Sequence, residues 1–310
     1  MSAQNQFNYP IYDFAIGWFN RQNADVIDFI APALSVDGVT GTIKKYPQGY
    51  AFRVADTRRS KGQEANSIDC GAIDMPFLLE DHMLRSGIDD SEIKPGAGNK
   101  QEAADQIAQS RIKSLLSVWN TSKIKQCLDI FRAGVPASSG GNWSAASSDP
   151  IEELKSMITA YAQTNGVKPN RIMMSDASWD ILSENAAVLD RVAFNAAQAL
   201  TEELLLKLLN LPNCQIMVTT VPAGTAAPGP ETSFVGSCLL GSDFWMSYVD
   251  EEGGLFDMSG LRMLHMGGDS PVESVESYYE RPKHTTWYEV GMHRQAYVTA
   301  APLVKRLSIS

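Results

Sequence analysis

The four cysteines (Cys70, Cys127, Cys214 and Cys238) and four histidines (His82, His265, His284 and His293) are the residues best suited to nucleophilic or metal chemistry. A zinc or redox site of the C-x-x-C kind needs two cysteines close in sequence, and no two are close here. The histidines form neither an H-E-x-x-H run nor an i, i+4 pair. A nucleophilic serine of the G-x-S-x-G kind is missing. "GSCLLG" at 236–241 is the nearest look-alike, but it reads as a buried strand. Cys238 would also need a partner base that sequence cannot bring near. "PGAGNKQ" at 95–101 fails as a phosphate loop, because Asn99 rather than glycine precedes Lys100 and Gln101 follows it. Acidic groups at Glu80-Asp81, Asp89-Asp90 and Asp250-Glu251-Glu252 lack the alternation of a calcium loop. Nothing singles out a carboxylate pair for acid–base work. The expectation is therefore no catalytic residue, no cofactor, no metal and no enzyme. The competing enzyme reading is a soluble α/β protein with an unmarked cysteine or carboxylate site.

Composition narrows the class further. The chain has 310 residues, 44% hydrophobic and 20% charged. That suits one large domain or two to three modest ones with a real core. The net charge of −10 argues against a sequence-independent grip on nucleic acid, which rests on Lys and Arg neutralising phosphates. Scattered cysteines behave as small buried hydrophobes and point to a reducing compartment. Asn120-Thr-Ser and Asn142-Trp-Ser match glycosylation sequons, which mean nothing without secretion. The first residues lack the charged start and continuous apolar core of a signal peptide. No run of 18 apolar residues exists, so no membrane span is expected.

With no site in view, the elements themselves carry the reading. Residues 1–38 form an aromatic-rich arm (Phe7, Tyr9, Tyr12, Phe14, Trp18, Phe19) that is hard to bury on one small domain. Residues 39–79 read as a long two-stranded excursion. Tyr50, Phe52 and Val54 alternate with Ala51, Arg53 and Ala55, the tip "RRSKGQEANS" is polar, and Pro76 suits an edge on the return. The outgoing arm carries Lys44, Lys45, Arg53, Arg58, Arg59 and Lys61. An isolated two-stranded hairpin is marginal in water, so this one needs an external surface. With Trp18 and Phe19, those six cations are the candidate inter-subunit contacts.

Residues 80–99 read as a polar connector. A helix with three/four apolar spacing follows over 100–132, about 50 Å long, with a break in its apolar stripe at "NTSK", 120–123. A flexible loop is expected over 134–148. Asp149 then caps a helix with Pro150 at its first position and Ile151, Leu154, Met157, Ile158 and Tyr161 on its buried face. "RIMM" at 171–174 reads as a short buried strand, and Ser175 or Asp176 caps the next helix. Another helix over 190–209, strands at "CQIMVTTV", "SFVGSCLLG" and "FWMSYV", and antiparallel strands over 272–310 complete a mixed α/β layer.

That order of parts resembles the major capsid proteins of tailed bacteriophages, with the HK97-like fold. Five stretches resemble the family at residue level: "YAFRVADTRRSKGQEANSID", "GVKPNRIMMSDASWDIL", "LLNLPNCQIMVTTVPAG", "SFVGSCLLGSDFWMSYVD" and "WYEVGMHRQAYVTAAPLVKRLSI". No single one is diagnostic; the specificity lies in their order. The resemblance implies an α+β chain with an N-terminal arm (1–38) and an extended β-hairpin loop (39–79). It implies a peripheral domain (80–148 and 251–310) with a spine helix over 100–132, and a mixed α/β axial domain (149–250). It implies hexamers and pentamers of this chain tiling an icosahedral head around double-stranded DNA, without sequence-specific binding and without a membrane. Separate scaffold, portal and decoration proteins are expected partners; the arm begins almost at Met1, which suggests a separate scaffold protein, or none. Assembly is expected in the bacterial host cytoplasm, and the product is the virion. An encapsulin-type compartment shell shares the fold and stands as the alternative.

Overall fold

A computed structural model describes residues 6–7, 26–45, 54, 56–67, 73–92, 100–145, 147–194, 199–224, 236–250, 259–267 and 274–310. In chain order these begin with β1 (Gln6–Phe7), α1 (Val26–Ile30), β2 (Ala33–Ser35), β3 (Thr40–Lys45), β4 (Ile73–Leu78) and β5 (Glu80–Asp89). The long helix α2 (Lys100–Gly134) follows, then α3 (Pro150–Asn165), β6 (Arg171–Met174), α4 (Asp176–Glu184), α5 (Ala186–Phe194) and α6 (Glu202–Leu209). β7 (Gln215–Val218), β8 (Pro222–Gly224), β9 (Gly236–Cys238), β10 (Asp243–Ser247), β11 (Leu261–His265), β12 (Ser274–Glu280), β13 (Thr285–Val298) and β14 (Val304–Ser308) close the chain.

β13 organises the larger sheet. It pairs antiparallel with β5 along ten positions on one edge; β12 and then β11 share the other. β1 adds to β12, and β2 runs parallel to β11. The residues expected to be a polar connector thus include a ten-residue strand, with 93–99 outside the described residues. Its alternation is real but mixed in chemistry. Leu84 and Ile88 face inward, while Asp81, Met83 and Arg85 are exposed. Only pairing with β13 makes the strand visible.

α2 lies on this sheet. Its stripe of Ile112, Leu115, Leu116, Trp119, Ile124, Cys127, Leu128 and Phe131 is buried, as the three/four spacing predicts. Each such side chain contributes about 1.5–3 kcal/mol by leaving water. At Gly134 a β-carbon would meet Val298 Cγ2 at 2.5 Å, so only glycine lets the helix end pass β13 this closely.

The second layer is a sheet ordered β14-β10-β6-β7. Its core joins α3, α4, α5 and α6 to the sheet through Tyr161, Ile172, Met174, Leu182, Val188, Leu205 and Phe244. Asp149 caps α3 as expected, its Oδ1 accepting from Glu152 N at 3.1 Å, and Ser175 caps α4. The expected helix over 190–209 is two helices, because Thr201 caps a fresh start at α6. β14, grouped in the sequence with the other closing strands, pairs with β10 instead. Pro302 within the 3-10 turn Ala301–Leu303 ends the run of β13, and the chain changes sheets there.

The loop before α3, expected to be flexible, is pinned. Trp143 is buried, its indole Nε1 donates to Glu153 Oε2 at 2.8 Å, and its ring meets Phe244 edge-on at 5.7 Å. Gly141 adopts φ +87°, and a β-carbon there would sit 2.5 Å from Ser308 O. Low sequence complexity concealed a glycine turn built for close approach to β14.

Candidate assembly surface

The hairpin rises from a small apolar foot. β3 and β4 pair in register from Thr40↔Leu78 to Lys45↔Ile73. Ile43, Phe77 and Leu79 pack with Leu264 of β11, while Leu78 exchanges two 2.9 Å hydrogen bonds with the Tyr297 hydroxyl. Every described residue of 54 and 56–67 is exposed, and Val54 is 98% exposed. Among the described residues, the tip is held by local bonds. Asp56 accepts from Arg58 N at 2.9 Å and from Asn66 Nδ2 at 2.7 Å through its backbone oxygen, and Arg59 Nε donates to Gln63 O. Gly62 makes the turn at φ +88°.

The candidate contacts fall into two groups. Lys44 lies on β3, exposed, 3.9 Å from Asp74; Arg58, Arg59 and Lys61 lie exposed on the tip. Trp18, Phe19 and Arg53 lie outside the described residues, as does the side chain of Lys45, although its backbone pairs with Ile73. The strand proposed through Tyr50–Val54 lies mostly outside them too; Val54 and residues 56–60 belong to no strand.

The sequence reading missed a second exposed region, on the face of the larger sheet turned away from α2. Arg85 stacks 4.5 Å over the Trp287 ring and donates to the Tyr278 hydroxyl, which donates to Glu289 Oε1 at 2.9 Å. Glu280 accepts from Trp287 Nε1, and Lys283 lies 3.0 Å away; the Lys283 hydrogen bond, then that of Trp287, hold its carboxyl below the usual range. Met83 stands beside this group, more than half exposed. Period-two alternation in β12 and β13 was legible; the matching strand β5 was not.

Nothing in the described residues gathers chemistry. No group of three or more His, Cys, Asp or Glu side chains that could hold a metal occurs among them. Cys214 is buried, and burial pushes its thiol up to about 12, far from nucleophilic at neutral pH. Cys238 lies half-buried in β9. No helix among the described residues is long and apolar enough to cross a membrane.

No family model matches the sequence, and no curated protein is significantly similar to it. Solved structures are similar over nearly the whole chain. A phage-related protein from Bordetella bronchiseptica RB50 shares 19% identity, covers 98% of this chain and 97% of its own, and superposes with a TM-score of 0.69. A capsid protein of an Escherichia coli CFT073 prophage shares 9%, with coverage of 99% and 100% and a TM-score of 0.56. A virus-like particle from Pyrococcus furiosus shares 8%, with coverage of 96% and 98% and a TM-score of 0.56. With similarity that spans nearly the whole of each chain at TM-scores of 0.69 and 0.56, the chain has the α+β, HK97-like capsid fold.

Proposed function

We propose that this chain is a structural shell subunit, the major capsid protein of a tailed bacteriophage. Copies assemble into hexamers and pentamers and close an icosahedral head around double-stranded DNA. The observation that carries the reading is the hairpin tip, residues 56–67, fully exposed on a fold similar throughout to capsid proteins. A soluble enzyme would gain nothing from ordering such a segment away from its own body. Its three cations, Arg58, Arg59 and Lys61, meet acidic surface on a neighbouring copy, as the net charge of −10 favours. Trp18, Phe19, Lys44, Lys45 and Arg53 extend that contact along the arm and hairpin. The arm (1–38), extended loop (39–79), peripheral domain (80–148 and 251–310) and axial domain (149–250) are the working parts. Such pairs set orientation more than affinity, since exposed ion pairs are worth about 0–1 kcal/mol each. The acidic shell holds its DNA by enclosure, not by grip. Scaffold, portal and decoration proteins complete the head, which is built in the host cytoplasm and ends in the virion.

Negative-stain microscopy of the purified chain tests the reading. Shells, tubes or rings of six support it, and a persistent monomer that turns over a substrate overturns it. Nucleic acid recovered from closed particles supports a head; enzyme cargo in its place moves the assignment to an encapsulin-type compartment. Deleting 56–64 leaves a folded monomer that no longer assembles. Particles of normal form from that deletion would refute the role given to the hairpin.

A further inference from the structure

The helix α2 does not lie on one continuous apolar bed. Ile112, Leu115, Leu116 and Trp119 pack with Val275, Val290 and Met292. Ile124, Cys127, Leu128 and Phe131 belong to a separate cluster with Ile27, Met173, Trp245 and Met263. Between the two, Asn120, Thr121 and Ser122 are half-buried, and Lys123 occupies a buried place on the stripe. The sheet beneath is equally polar at this level. Glu80 of β5, Arg294 of β13 and His265 of β11 stand side by side in register, and His82 follows on the inward face of β5.

Arg294 is only 3% exposed; its guanidinium stacks 4.7 Å over the Trp119 ring and donates to Gln126 Oε1 at 3.0 Å. Trp119 Nε1 and Asn120 Oδ1 are buried without a hydrogen-bond partner among the described residues, a cost that the apolar ends of the helix do not carry. A cavity of about 260 Å³ opens beside the seam, with Glu80, His82, Gln126, Asp129 and Arg294 in its wall.

We propose that this seam is an acid-sensitive joint. A proton on His82 places a second cation beside buried Arg294, and the middle of α2 loosens from the sheet while both apolar ends stay seated. The joint belongs to the single chain and does not depend on shell assembly. Several charged groups face His82. Arg294 comes from β13, Glu80 (4.0 Å) and Asp81 from β5 itself, and Asp129 from α2 across the cavity. Lys123 lies within the same break of α2, and His265 of β11 lies across Arg294. Burial first, and Arg294 second, lower the His82 pKa from its ordinary 6.5, outweighing Glu80 and Asp81. The folded chain therefore binds fewer protons than the unfolded chain as the pH drops below 6.5. The seam is intact above that pH and weakens as the pH falls from it toward the lower folded value.

Hydrogen exchange by mass spectrometry on the full-length chain, at about pH 7.5 and about pH 5.5 and corrected for intrinsic rates, reads this directly. The expected result is a several-fold rise in exchange over 117–126 at the lower pH. Protection over 112–116 and 127–131 is retained, and His82→Gln abolishes the rise. Equal protection of 117–126 at both pH values overturns the proposal. So does uniform loss along the whole helix, or the same rise in His82→Gln. Should His82→Gln not fold, the wild-type contrast between 117–126 and its flanks decides alone.

Discussion

The α/β layer and the hairpin tip are made from the same ordinary residues, yet they settle their accounts differently. In the layer, many of the polar groups that leave water find a designated partner. The Tyr161 hydroxyl donates to Leu303 O, Asn170 brackets the Val249 backbone through both ends of its amide, and Glu153 ties down Gly141 and Trp143. In the tip, residues 56–67 are all exposed, and the hydrogen bonds they make among the described residues run to one another. The contrast teaches where to look for function in a chain whose described residues gather no cluster of reactive side chains. A region that satisfies its own backbone and charges is scaffold. A region ordered locally but left outside is available to something else.

The contrast can be broken by mutation, starting where the loss is greatest. Phe244→Ala empties the middle of the layer, where Phe244 is fully buried against Trp143, and should cost about 3–5 kcal/mol in urea unfolding. A loss near zero would mean that the layer is not the stable half. Asp243→Asn comes next. This carboxylate accepts from Arg132 Nε at 2.8 Å and Arg306 Nε at 2.9 Å, joining the end of α2 to β10 and β14. Removing its charge leaves two partly buried guanidiniums facing each other, and about 2–3 kcal/mol should go, read as a lowered denaturation midpoint. Tyr161→Phe deletes one buried hydrogen bond and should cost about 1 kcal/mol by the same measurement. The triple change Arg58→Ser, Arg59→Ser, Lys61→Ser should move stability by less than about 0.5 kcal/mol. Assembly, followed by light scattering, should nevertheless slow sharply and lose its salt dependence. If the triple variant unfolds as readily as Phe244→Ala, the division between the two regions fails.

Much of the scaffold could be read before any coordinates. The stripe of α2, the cap at Asp149 and the strand Arg171–Met174 each rest on short-range rules that act within one element. What escaped depends on partners distant in sequence. β5 reads as a connector until β13 supplies its ladder. Residues 134–148 look like a loose linker because Ser, Ala and Gly dominate them, yet Trp143 finds Glu153 and Phe244 and is fixed. β14 joins β10 across a change of sheet that no local pattern announces. For the candidate assembly surface, the cations of the tip were legible as a charge cluster on a turn. The Arg85–Trp287 stack was not, because its two halves lie on strands far apart in the chain.

The passage from β13 to β14 has a mechanical meaning. Thr299 and Ala300 both hang from the carbonyl of Gly260, and the Thr299 hydroxyl grips Ser259 O, before the chain turns at Pro302 and enters the other sheet. One continuous stretch thus stitches the two layers together, with Leu303 buried at the seam. It is one of three covalent crossings between the layers, beside the links from α2 to α3 and from β10 to β11, and it shares any load that pulls one layer against the other. A single proteolytic nick between 299 and 303 would remove one of those covalent routes and shift its share of the tension onto the other two and onto the packed core between the sheets.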